Sequence, residues 1–245
     1  EQSLADYDLR PLHVGWFSDW RGAVTPPQPA AGIDLEYVQM LNVRGNIWPP
    51  DWDVVRRAAE ANRGSTWLVG NEPEGRINQG NRTPDEYAQI YHDAYTKVKG
   101  FDPTAKIAIG GVIEPTPLRL RWLDETMAAY QSRYGSPMPV DIWNIHVQIL
   151  IENPEKPDGE GAGIPAGLTA NPGEARSYSP EDNVNPLIFK SLVTEFRDWM
   201  QLRGQRDKPL IISEFGVLLP SDYLTPSRDK EEGDRLIETF MQETF

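Results

Sequence analysis

The chain has 245 residues, 39% of them hydrophobic and 25% charged, with no cysteine. This is a globular composition with enough apolar residue for a sizeable core, and it excludes disulfides, a thiolate nucleophile and a cysteine zinc site. The formal net charge is -13, from 37 acidic against 24 basic residues with no Lys/Arg cluster, so nucleic acid is not an expected partner.

No run approaches the ~18 apolar residues of a membrane span, so no membrane partner is expected either. The chain opens at Glu1 without a charged-then-apolar leader, and a processed or trimmed N-terminus is the simplest reading. The length suits two small domains or one (β/α) barrel of about 250 residues. No internal boundary marks a second domain, so residues 1–245 are read as one.

In chain order, Leu12–Ser18 reads as a short strand ending at Asp19-Trp20, followed by a loop with Pro26, Pro27 and Pro29. Leu35–Leu41 is a second strand, ending at Asn42-Val43-Arg44-Gly45, and Trp48-Pro49-Pro50 is an aromatic loop. Asp51 is an N-cap for a helix carrying Val54, Val55, Ala58, Ala59 and Ala61. Trp67–Glu72 is the third strand. Thr83-Pro84-Asp85-Glu86 starts a helix with a capping box and proline at the first position, ending near Gly100.

Lys106–Val112 is the fourth strand, and a helix follows from about Leu118 to Tyr134. Val140–His146 is the fifth strand. An irregular stretch from about Glu152 to Asn185 comes next, of a length that in compact domains is usually functional or disordered. A helix from Pro186 to Leu202, the strand Leu210–Glu214 and a helix from about Arg228 complete the chain.

Alternating strands and helices predict an α/β fold with a parallel sheet, a (β/α)8 barrel of the TIM type. Only six strands are read, two short of eight. At least one is expected beyond Phe245, so either the sequence stops short of the last strand or the barrel is incomplete.

Functional side chains of parallel α/β folds sit at the carboxyl ends of strands. Here those positions hold Ser18, Asp19 and Trp20; Asn42 and Arg44; Asn71 and Glu72; Glu114; His146; and Glu214. A lone strand-end carboxylate is more often a cap or turn former. A polar group at every strand end is harder to explain that way. Two strand-end glutamates, far apart in sequence, are what a glycosidase needs if the fold brings them face to face.

Asn71-Glu72-Pro73 after a hydrophobic strand, with Ser213-Glu214-Phe215-Gly216 later, resembles the clan A retaining glycoside hydrolases. The closer pattern resembles the small glycosyl hydrolase catalytic-core group that includes glycoside hydrolase family 128. It is carried by Gly15-Trp16-Phe17-Ser18-Asp19-Trp20, Val38-Gln39-Met40-Leu41, Val69-Gly70-Asn71-Glu72-Pro73, Asp141–His146 and Pro209–Phe215. Val147 and Gln148 follow His146 where that group carries Tyr or Trp.

The resemblance implies Glu72 as general acid/base and Glu214 as nucleophile. The first role asks for a protonated Glu72, which burial and the anionic Glu214 would favour. Arg44 would keep Glu214 charged, Asn71 would donate to the sugar 2-hydroxyl, and His146 would orient Glu214 or bind substrate. Trp16, Trp20, Trp48 and Trp143 are candidates for stacking on sugar rings, with core burial the competing reading for each.

The implied substrate is a β-linked polysaccharide, by resemblance β-1,3-glucan cleaved internally. A mannan, a galactan or an exopolysaccharide is the enzymatic alternative, and a non-catalytic carbohydrate-binding barrel the alternative of another class. A protein-interaction module has only the long acidic loop in its favour. No cofactor is expected and no metal: His13, His92 and His146 lie on separate elements, and Asp158, Glu160 and Asp182 lack calcium-loop spacing. A monomer, secreted or at the cell surface, is expected.

Overall fold

The computed structural model describes residues 3–157 and 161–244. Seven strands, β1 (Trp16–Phe17), β2 (Glu36–Tyr37), β3 (Gln39–Leu41), β4 (Thr66–Asn71), β5 (Lys106–Gly111), β6 (Trp143–Val147) and β7 (Leu210–Phe215), are joined by parallel pairing. Five helices cross between or follow them: α1 (Trp52–Ala61), α2 (Pro84–Phe101), α3 (Pro117–Tyr134), α4 (Pro186–Leu202) and α5 (Lys230–Thr244).

β2 and β3 are the single strand read from sequence, interrupted at Val38. β2 pairs with β1 and β3 with β4, so the run passes from one neighbour to the next. β4 pairs with β5, isolated parallel bridges Ala108–Ile142 and Val112–Ile145 carry β5 to β6, and β6 pairs with β7. The strands thus follow one another in chain order. No pairing among the described residues returns β7 to β1, so the α/β alternation is present while the expected barrel is not closed.

Local chemistry explains the helix boundaries. Asp51 caps α1 by accepting from the N–H groups of Asp53 and Val54, and Thr83 and Glu86 form the reciprocal capping box of α2. Gly135, at φ 71°, stops α3 in the left-handed conformation that a Cβ disfavours. The first strand is shorter than expected. Arg10–Leu12 forms a 3-10 turn, His13 has φ 50°, and Leu12 and Val14 are exposed, so nothing buries a strand face before Trp16.

Side chains alternate across the sheets with period two. Trp67, Val69, Ile107, Ile109, Trp143 and Ile145 face the helices and join the large core with Tyr87, Tyr91, Trp122 and Phe196. Leu68, Ala108 and Met40 face the other way and form a small inner cluster with Val38 and Ile142. That cluster is the floor beneath the strand ends. No helix among the described residues is long and apolar enough to cross a membrane.

Candidate active site

β4 ends at Asn71, and Glu72 turns the chain with φ 42°, a left-handed conformation that costs a non-glycine residue about 1–3 kcal/mol. Hydrogen bonds hold it there. The Glu72 N–H donates to the Gly111 carbonyl (3.0 Å), and its own carbonyl accepts from Gly75 and Gly80 (3.0 and 3.1 Å). The turn leaves Glu72 8% exposed at the strand end. A Cβ at Gly111, on the neighbouring strand, would lie 2.4 Å from the His146 ring. Glycine there is what lets His146 approach Glu72.

His146 and Glu214 meet through an irregularity in β6–β7 pairing. Ile145 opposes Ile212, yet His146 opposes Glu214, so the register shifts by one residue at this point. Such bulges re-aim side chains at strand ends. His146 Nδ1 lies 3.0 Å from Glu72 Oε1 and 3.8 Å from Glu214 Oε2. One oxygen of each glutamate and the imidazole nitrogen all fall within 4.8 Å of one another.

The other Glu214 oxygen accepts from the Trp20 indole N–H at 3.0 Å, across 194 positions of sequence. Trp20 has φ 60°, and the turn bearing it is braced by Asp19, which accepts from Arg21 Nε (2.8 Å) and from the Tyr37 hydroxyl. Burial and the adjacent Asp19 carboxylate push the Tyr37 hydroxyl pKa up, so it stays a donor at neutral pH.

The glutamates open onto a two-lobed cleft. A lobe of about 450 Å³ is lined by Glu72, Arg76, Gln79, Gln148 and Glu214 with aliphatic Ile77, Ile113, Leu150 and Leu218. A second, of about 350 Å³, is lined by Trp20, Met40, Asn42, Arg44, Asn71, Gln79 and Glu214. Glu72 lines only the first lobe and Asn71 only the second; Glu214 and Gln79 line both. The first lobe has the long loop as a wall, through Pro157, Gly161, Ala162 and Gly163.

The structure therefore gathers Glu72, Glu214, His146, Asn71, Arg44 and Trp20. Arg44 has a different partner from the expected one: its Nη2 donates to Gln79 Oε1 at 3.3 Å, and no hydrogen bond or ion pair joins it to Glu214 among the described residues. Trp20 takes the place expected of it as donor to that carboxylate.

Burial corrects one of the remaining three tryptophans, and the other two lie off the cleft lobes. Trp143 is fully buried and meets Trp199 edge-on at 5.0 Å and Phe196 at 6.1 Å, so it is core. It begins β6 rather than ending it, and shares the outer face with Ile145. Trp48 is half-buried against the core and edge-on to Trp52, and Trp16 packs on the inner cluster; neither lines the cleft lobes.

Glu114 is also away from the cleft. It is completely buried, accepts from the Leu150 N–H (3.0 Å), and its carboxyl pKa is pushed up to about 8 by burial against the opposing effect of Arg119. Sequence reasoning missed Gln79, Gln148 and Arg76. Gln148 follows the strand end at His146, and that placement was its signal. Gln79 and Arg76 lie in the turn after β4, where no strand or helix period marks a side chain's direction.

Glu72, His146 and Glu214 are the single set among the described residues with residue types and spacing for a divalent cation. Of the calcium candidates weighed from sequence, Asp182 caps its own turn at Ser179, while Asp158 and Glu160 lie outside the described residues.

No family model matches the chain, and no curated protein matches it. Solved structures do. A GH128 (subgroup II) endo-β-1,3-glucanase from Sorangium cellulosum aligns at 20% identity and TM-score 0.50 over 88% of this chain and 71% of its own. A GH128 (subgroup VII) oligosaccharide-binding protein from Trichoderma gamsii aligns at 16% and 0.48, over 98% and 73%. A GH128 (subgroup IV) endo-β-1,3-glucanase from Lentinula edodes aligns at 19% and 0.45, over 83% and 61%. The first of these likenesses establishes that the chain has the α/β fold found among the glycoside hydrolases, as the sequence resemblance implied.

Proposed function

We propose that the protein is a retaining glycoside hydrolase acting on a β-linked polysaccharide. The observation that carries this reading is the carboxylate pair: oxygens of Glu72 and Glu214 within 4.8 Å, at the ends of β4 and β7, facing one cleft. Retaining enzymes hold their carboxyl groups about 5–5.5 Å apart, and inverting enzymes about 6.5–9.5 Å apart to admit a water. Oxygens this close suit direct attack by one carboxylate while the other serves as acid, which favours the retaining arrangement.

Glu214 is the nucleophile in this reading. The Trp20 indole donates to one of its oxygens, while the other faces His146 and the substrate. It attacks the anomeric carbon, the glycosidic bond breaks, and Glu72 gives its proton to the departing oxygen. Glu72 then takes a proton from water, which attacks the anomeric carbon and releases Glu214. His146 beside Glu72 positions that carboxyl group through both steps.

The lobes give the cleft a direction. The general acid must reach the leaving group, so the lobe lined by Glu72 takes that side. Asn71, placed to donate to a sugar 2-hydroxyl, lines the other lobe with Arg44 and Trp20, which suits the glycone. Internal cleavage of β-1,3-glucan is the finer reading, supported by the sequence motifs and by the activity named for the Sorangium cellulosum enzyme of like fold.

The test is release of reducing ends from a panel of β-1,3-glucan, mannan, galactan and bacterial exopolysaccharides, with product sizing. Activity on β-1,3-glucan giving mixed oligosaccharides supports the finer reading, and activity elsewhere moves the substrate. Binding to a glycan without turnover on any member would replace the enzyme by a carbohydrate-binding barrel.

A further inference from the structure

Gln79 sits where the two lobes meet, and its side-chain oxygen faces two donors: Arg44 Nη2 at 3.3 Å and Asn71 Nδ2 at 3.4 Å. Arg44 decides which end of the amide is oxygen, since a guanidinium only donates and the flipped amide would oppose N–H to N–H; Asn71 then turns its own nitrogen to the same oxygen. The nitrogen end then holds two N–H donors, and no protein acceptor meets them among the described residues.

The turn presenting Gln79 is tied to the catalytic segment. The Gly80 N–H donates to the Glu72 carbonyl (3.1 Å), Asn81 to Gly75 (2.8 Å) and Arg82 to Pro73 (2.8 Å). A Cβ at Gly80 would fall 2.5 Å from Pro73 Cα, so the chain folds back here at a distance that only glycine permits. Gln79 is thus held at the cleft by the same turn that fixes Glu72.

We propose that Gln79 is a specificity-determining residue: its oxygen fixes Asn71, and its amide nitrogen donates to a hydroxyl of the sugar at the junction of the two lobes. The inference rests on the glycosidase reading and adds to it a sugar contact from outside the strand ends. A ring presenting a hydroxyl acceptor at the junction is favoured. One lacking it leaves the amide donors unpaired in a partly desolvated site, which costs binding.

The test uses Glu72→Gln as a non-hydrolysing parent, titrated by calorimetry with β-1,3-gluco-, β-manno- and β-galacto-oligosaccharides, the tightest binder serving as probe. Gln79→Glu keeps oxygens facing Arg44 and Asn71 but removes both N–H donors, and Gln79→Ala removes everything. Thermal melts of each variant report folding separately. The proposal expects both substitutions to weaken binding about tenfold or more at unchanged melting temperature. Parent-like affinity in Gln79→Glu, with a loss confined to Gln79→Ala, overturns it and leaves Gln79 as a prop for Asn71. A parent that binds none of the oligosaccharides sinks the glycosidase reading itself, and this inference with it.

Discussion

Two carboxylate clusters stand within a few residues of each other and have opposite fates. Glu72 and Glu214 share His146 at the cleft; Glu74, Glu114 and Glu152 surround Arg119 beneath it, with all four side chains buried. Glu72 and Glu74 belong to the same turn. The difference lies in what meets the oxygens. Arg119 donates from Nε to Glu74 (3.0 Å), from Nη1 to Glu152 and from Nη2 to the Ala162 carbonyl (2.6 Å). Thr116 and the N–H groups of Ile113, Leu150 and Arg176 donate to the same three acids.

That second cluster is a clamp. It joins the turn after β4, the start of α3 and the long loop whose residues 161–163 wall the first lobe. Its acids are buried around a fixed cation and backbone donors, whereas the Glu72–Glu214 pair faces a cleft and has no arginine bonded to it among the described residues. A carboxylate at a strand end is therefore not by itself a catalytic group. The partners of its oxygens decide.

Neutralising one acid of the cleft pair has the largest expected effect. Glu72→Gln and Glu214→Gln should each lower kcat by about 10²–10⁴ with the melting temperature nearly unchanged, read by reducing-end assay and calorimetry. Full activity in either removes that residue from the mechanism. In the clamp, Arg119→Met leaves three buried acids without their cation. It should cost about 3–5 kcal/mol, a fall in melting temperature of roughly 10 °C. A variant as stable as the parent would show that the clamp holds nothing.

Glu114 gives the clamp a pH signature. Its carboxyl pKa rises from 4.5 unfolded to about 8 in the fold, mainly through burial, so between those values the folded chain holds a proton that the unfolded chain has lost. The stability it contributes is complete below pH 4.5 and declines as pH rises through about 8, by roughly 3–5 kcal/mol in total. Glu114→Gln should flatten that part of the stability–pH curve, measured by denaturant unfolding across the range. An unchanged slope places the titration elsewhere.

The smallest effect separates two tryptophans. Trp20→Phe removes the indole donor to Glu214 and should lower kcat about tenfold or more with little loss of stability. Trp143→Phe should do the reverse, costing about 1–2 kcal/mol of stability with kcat/KM unmoved.

The α/β alternation and the helix starts at Asp51, Thr83 and Pro186 were legible because capping and periodicity are local. Glu72, Glu214, Asn71 and His146 were legible as strand-end polar groups. Trp143 was legible in principle: it lies an odd number of residues from His146 on one strand, so period two puts it on the opposite face. Trp20 as donor to Glu214 was not, because that contact depends on a turn at φ 60° meeting a strand 194 positions away. Nor was the clamp, since a buried Arg119 and an exposed helical arginine look alike in sequence.

Double displacement by Glu72 and Glu214 is tested directly by the anomeric configuration of the first-formed product. Proton NMR of early hydrolysis, recorded before mutarotation, should show the β-anomer accumulating first from a β-linked substrate. Initial appearance of the α-anomer would mean inversion and would contradict the account.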